Sequence, residues 1–242
     1  MALTRWTFMA ACLTLLALAN RPGAQEPERE AYLTWSAKQA EAVGRSMHQT
    51  GRVGGFWDTR MLKTERSYNY KLAATWLTPD VIKATARLAQ LRRRLSEEQT
   101  RSLVADALAA GDTVIMVEID PREGSGVIPL DWESFLQPAG AVERAVAGTN
   151  TPALREIAAL AGVLRRNYDY DRFWVVFPLL DESGASLFGG GVSSVELVVR
   201  VYDKEGRVTW PVPPSIRARS VEVAAIRRVS PEATRRDRAT RL

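Results

Sequence analysis

The stretch from Val195 to Val212 leaves the backbone the fewest options. Val195, Leu197, Val199 and Val201 recur at every second position. That is the period of a strand with one buried face, not of a helix. Asp203-Lys204-Glu205-Gly206 follows, a polar run of turn length ending in a glycine suited to a left-handed conformation. Val208, Trp210 and Val212 then resume the alternation. A hairpin with one apolar face needs more strands beside it and a layer to cover it.

Other segments supply both. Thr113 to Ile119 (TVIMVEI) is short, β-branched and apolar on both faces, as expected of a central strand. Leu72 to Leu77, Trp132 to Leu136 and Phe173 to Leu180 read as further strands, with Pro178 marking an edge or bulge. In the second of these, Trp132 and Ser134 share one face, Glu133 and Phe135 the other. Trp76, Trp174 and Trp210 fall inside apolar strands and are assigned to the core.

The helix signals are local. Thr78 is a good N-cap, followed by Pro79 at the first helical position and Asp80 at the positive end of the dipole. Ser96 and Gln99 have capping-box spacing, so a second helix starts there and stops near Gly111. Tyr32 to Met47 and Thr151 to about Leu160 also read as helices, and the glycine-rich run His48 to Gly55 as a loop.

These elements imply an α+β fold with a mainly antiparallel, sandwich-like sheet and an inserted helical pair. The long connection from Leu77 to Thr113 leaves an α/β alternative with one βαβ crossover. Residues 1–19 read as a signal peptide, with cleavage as late as 24. Residues 20–62 form an N-terminal helix and linker, 63–214 the main domain, and 215–242 a basic, disordered tail.

The export reading rests on Arg5, the apolar run Trp6 to Ala19 and the small residues of Ala17-Leu18-Ala19. Cys12, the single cysteine, lies inside that run and would leave with it. The remaining chain would carry no thiol and no disulfide, as suits a bacterial envelope protein of the periplasm or exterior.

The formal charge of +5 is unevenly distributed. Ser215 to Leu242 holds eight arginines against three acids, which makes the rest of the chain nearly neutral. Arg227, Arg228, Arg235, Arg236, Arg238 and Arg241 are the candidates for contact with an anionic membrane surface or acidic envelope polymer. Nucleic acid is not expected, because the tail has no interleaved aromatics.

The inventory for catalysis is thin. His48 is the only histidine, and no Gly-x-Ser-x-Gly elbow accompanies it. No catalytic residue, metal ligand or cofactor is assigned. The leading expectation is an exported, non-enzymatic binding or structural module of the cell envelope, partnered by an envelope protein or polymer. Tyr68, Tyr70, Tyr168 and Tyr170 are candidate contacts with a partner or a glycan. The alternatives are a carbohydrate-binding module and a carboxylate-dependent glycan hydrolase using Glu118, Asp120, Asp131 and Glu133. Glu118 and Asp120 sit two apart on a strand, so they share a face at about 6–7 Å.

Overall fold

Among the described residues nine strands join in one sheet, accompanied by four α-helices. The structure is a computed structural model describing residues 30–54, 69–121, 131–164, 171–181, 183–189 and 191–229. Residues up to Thr34 form one unit, of which the 3-10 turn Ala31–Thr34 is described; Trp35–Leu242 form the other. The strands are β1 (His48–Val53), β2 (Tyr70–Trp76), β3 (Thr113–Pro121), β4 (Trp132–Pro138), β5 (Val146–Ala147), β6 (Thr149–Asn150), β7 (Asp171–Phe177), β8 (Ser194–Val201) and β9 (Lys204–Pro211). The helices are α1 (Ala37–Arg45), α2 (Pro79–Arg93), α3 (Glu97–Leu108) and α4 (Pro214–Val229).

The sheet runs β5-β4-β8-β9-β1-β2-β3-β7-β6, and each neighbouring pair is antiparallel. Its two ends, β5 and β6, are halves of one segment broken only at Gly148. The sheet is therefore seven full strands plus one short, split strand that touches both edges. Strand direction makes this segment necessary. Six antiparallel steps separate β4 from β7, so those two strands run the same way. A strand running the other way between them restores antiparallel pairing all round, and the sheet becomes a nearly closed barrel.

The barrel interior is packed. Trp76 and Trp210 meet edge to face with ring centroids 6.0 Å apart, and Phe188 lies 5.5 Å from Trp76. Phe188 comes from the connection between β7 and β8, which also buries Leu179 and Leu187. Trp76, Trp174 and Trp210 are all buried, as their setting in apolar strands implies. On the outside, Trp174 donates its indole N–H to the carbonyl of Leu160 at 2.8 Å. Ala40 of α1, Ala84 and Leu88 of α2 and Val163 form a second apolar cluster. Val114 and Met116 on the outer face of β3 are buried as well, so the strand is apolar on both faces over most of its length.

Two helix starts are where the sequence places them, whereas α1, read from Tyr32, starts at Ala37 behind a Ser36–Gln39 capping box. Thr78 caps α2, with Pro79 leading it, and Ser96 and Gln99 close a reciprocal capping box on α3. Arg94, at φ 55°, breaks the two apart.

Five details differ from the sequence reading. β2 and β3 pair antiparallel, so the connection through α2 and α3 is not a βαβ crossover. The run 48–53 is a strand, because Gly51 and Gly206 let β1 and β9 approach closely. A Cβ on Gly206 would lie 2.7 Å from the carbonyl oxygen of Arg52. The hairpin turns at Tyr202-Asp203, with Val201 opposite Lys204 and Tyr202 at φ 54°, so Gly206 serves that approach and not the turn. Residues 152–160 form two 3-10 turns, Pro152–Glu156 and Ala158–Leu160, separated by an extended Ile157. Residues 214–229, expected to begin a disordered tail, are helical because Ile216, Ser220 and Ala224 fall on one buried face.

Candidate binding cleft at the barrel seam

The split strand closes only part of the gap between β4 and β7. Its first half pairs with Phe135 and Leu136 of β4, and its second half with Val175 and Val176 of β7. Between the halves, the Gly148 N–H donates to the Ser134 carbonyl at 2.9 Å. The last link is the Thr151 N–H to the Trp174 carbonyl at 2.8 Å. Pro152 has no N–H to continue the ladder, and the chain turns away there. A residue larger than glycine does not fit at 148, where a Cβ would run into Val175 and Phe177.

Below that point the wall is completed by side chains. Trp132 of β4 and Phe173 of β7 reach across the seam and meet with centroids 4.8 Å apart at 60°. Beside them an open cleft of about 410 Å³ is lined by Trp132, Glu133, Ser134, Phe135, Gly148 and Asn150, with Ala147. Its chemistry is a half-buried aromatic floor, one buried hydroxyl and a rim of backbone, amide and carboxylate groups. The two rings are steeply inclined, so they do not form the coplanar platform on which sugars stack.

The acids proposed from sequence do not gather around this cleft. Glu118 and Asp120 share the outer face of β3, each facing a cation on a neighbouring strand. Arg172 Nε donates to Glu118 Oε1 at 2.9 Å, and Lys71 Nζ lies 3.5 Å from Asp120 Oδ2. Glu118 is only 2 % exposed. Glu133 points outward from β4, 3.7 Å from Arg200, and Asp131 is exposed just before it. Arg200 and Arg207 also hydrogen-bond Glu205 and hold its carboxyl below the usual range. These side chains form a ladder of ion pairs over the outer face of β8 and β9.

The other sequence candidates fall in different places. Tyr70 is buried, which corrects its reading as a surface contact: on β2 its ring faces inward opposite Val53. Tyr68, Tyr168 and Tyr170 lie outside the described residues, as do Arg235, Arg236, Arg238 and Arg241. Arg227 and Arg228 stand in the last turn of α4. The signal-peptide reading and Cys12 also lie outside the described residues. His48 Nδ1 sits 3.0 Å from Thr75 Oγ1 on the outer face of β1 and β2. Among the described residues no three of His, Cys, Asp and Glu group to hold a metal ion, and no helix is long and apolar enough to cross a membrane.

Sequence reasoning did not single out Trp132, Phe173 or Gly148. The one usable signal was Trp132 standing at the start of its strand, beside a loop rather than in mid-run. Comparison with known proteins adds no relative: no family model, no curated protein and no solved structure matches the chain.

Proposed function

We propose that this chain is an exported, non-enzymatic binding module of a bacterial cell envelope. The barrel carries the recognition surface, and the basic C-terminal segment attaches the module electrostatically to an anionic surface. The partner is an envelope protein or polymer, and nucleic acid has no part in it. The observation that carries the reading is the division of labour in the fold. The barrel interior is filled by Trp76, Trp210 and Phe177, and the outer acids Glu118, Asp120 and Glu133 are spent on cations of their own wall. Among the described residues the seam cleft is one surface open to contact, and the sequence that follows α4 is rich in arginine. Carboxylates dispersed in this way favour binding over glycan hydrolysis, which needs two of them facing one substrate.

The test uses the chain lacking residues 1–19 and vesicles of phosphatidylcholine with or without phosphatidylglycerol. Truncation belongs after Val229, not before α4, because Ile216, Ser220 and Ala224 are buried. Binding to the anionic vesicles should weaken with salt. It should drop several-fold in the truncated chain and in a variant with Arg235, Arg236, Arg238 and Arg241 changed to Gln. Equal binding by all three proteins removes the tail from the account. Export is checked by fractionating the native host: a chain found uncleaved in the cytoplasm contradicts it.

A further inference from the structure

The last helix is apolar on two opposite sides. One side packs on the barrel, where Ile216, Ser220 and Ala224 are buried. Three polar contacts fix it there. The Ser186 hydroxyl donates to the Ser220 hydroxyl at 2.8 Å, Arg217 Nη2 donates to the Val192 carbonyl at 3.1 Å, and Arg219 Nη2 lies 3.6 Å from Asp112 Oδ1. The opposite side of a helix held this way faces solvent and is ordinarily charged or polar. On α4 it is Ala218, Val221 and Ala225, with Ile226 beside them, and all four are exposed. Val221 and Ile226, 55 % and 61 % exposed, are two of the five large apolar side chains exposed among the described residues, so that surface is concentrated on this helix.

Charge frames this face. Residues 214–229 hold four arginines, Arg217, Arg219, Arg227 and Arg228, against one acid, Glu222. Arg217 stands one turn before Val221 on one flank, and Arg219 two turns before Ile226 on the other. Glu222 lies between the two apolar residues and is exposed. An apolar ridge between arginines is the pattern of a helix that lies in the surface of an anionic bilayer. Its apolar side chains enter the acyl boundary while the guanidinium groups reach the lipid phosphates. A second copy of the chain fits the face less well. Pairing two such faces would bring their arginines together, and two large side chains per helix are too few to hold a dimer.

We infer that the outer face of α4 is a docking surface for an anionic lipid bilayer, lying flat at the interface with Val221 and Ile226 entering it. The inference rests on the attachment reading and moves the contact from the arginine-rich sequence alone to the folded helix. α4 continues from the end of β9, whereas the β8–β9 turn at Tyr202 lies at the other end of the same strand. A bilayer bound to α4 therefore leaves Tyr202 in water. Binding has two parts with different salt responses: the arginine part falls with added salt, and the apolar part does not. Glu222 opposes the contact, because its carboxylate would face lipid phosphate.

The test uses the chain lacking residues 1–19, which contains no cysteine, and vesicles of phosphatidylcholine with or without phosphatidylglycerol. One cysteine is introduced by Val221→Cys or by Tyr202→Cys and carries a polarity-sensitive nitrobenzoxadiazole dye. With anionic vesicles the dye at 221 should shift to the blue and be quenched by a nitroxide near the head of the acyl chain. The dye at 202 should do neither. Changing Val221 and Ile226 to serine should weaken vesicle binding about tenfold, and Glu222→Gln should strengthen it. The serine variant should keep its urea midpoint, because the buried face is untouched; if it does not, the pair of dyes decides. A dye at 221 that stays in water while the chain binds overturns the inference. So does a serine variant that binds like the unaltered chain, or one whose only change is loss of a dimer in sedimentation, which makes a second copy the occupant. Binding that survives loss of Arg235, Arg236, Arg238 and Arg241 but not of Val221 and Ile226 defeats the tail and keeps the helix. The reverse result defeats the helix and keeps the tail.

Discussion

The indole N–H of Trp210 donates to the backbone carbonyl of Met47 at 2.9 Å, and the backbone N–H of Trp76 donates to the same oxygen at 3.1 Å. One carbonyl just before β1 thus holds strands β2 and β9, which flank it. Trp210→Phe removes one of the two donors and part of the ring. The acceptor keeps Trp76, so it is not orphaned. The expected loss is about 1–3 kcal/mol, combining a net hydrogen bond with a small cavity. Urea unfolding followed by tryptophan-independent circular dichroism measures it.

Two glycines should respond differently to alanine. At Gly206 a Cβ would press on the Arg52 carbonyl oxygen and on Val53, both at 2.7 Å, and a backbone atom cannot rotate away. Gly140 sits at φ +84° with open space around it. Gly140→Ala should cost about 1 kcal/mol through backbone strain alone. Gly206→Ala should cost more, about 2–4 kcal/mol, because β1 and β9 must separate. Similar losses in the two denaturation curves would refute the close-approach role.

Ion pairs at two depths should also diverge. Arg172 reaches a Glu118 side chain that is 2 % exposed, whereas Arg200 and its partner Glu205 are 46 % and 35 % exposed. Arg172→Met should destabilise by about 2–3 kcal/mol, since it strips a cation from a buried carboxylate. Arg200→Met should cost under about 1 kcal/mol. Added salt should weaken the Arg200 contribution first.

Asp181 gives a pH signature. The Ser183 hydroxyl is the main cause of its lowered pKa, helped by the Ala185 N–H and by Arg144. A carboxyl whose folded pKa lies below its unfolded value of 3.8 adds stability above that value. The contribution disappears as pH falls through the lower, folded value. Asp181→Asn should therefore lower the urea midpoint at neutral pH and flatten its decline between about pH 4 and pH 2. A parallel decline in both proteins would show that Asp181 is not coupled to folding.

What could be read beforehand was whatever depends on local pattern. Thr78 and Ser96 announce helix starts through their own side chains, and the alternation around Val199 survives in the fold because one face of β8 is buried. What could not be read depends on partners distant in sequence. β1 lacks an apolar face because Gly51 and Gly206 replace side-chain packing with close backbone approach. The split strand is too short to show a period, and its role follows from a count of strand directions, which no local window contains. Tyr70 and Tyr68 look alike in sequence, and only the pairing of Tyr70 with Val53 reveals that the former is buried. The acids of β3 appeared as a pair because the cations opposing them, Lys71 and Arg172, come from other parts of the chain.

The parity of the barrel bears on how the molecule can fail. If residues 146–150 peel away, β4 and β7 cannot simply zip together in the antiparallel register of the other strands, because they point the same way. The opened sheet would instead present two long bare edges, each a template for another chain. Five residues therefore cover both edges of the sheet, and the glycine at their centre admits no larger side chain. A lesion at Gly148 would show first as aggregation at concentrations where the native chain stays soluble, before any large loss of secondary structure.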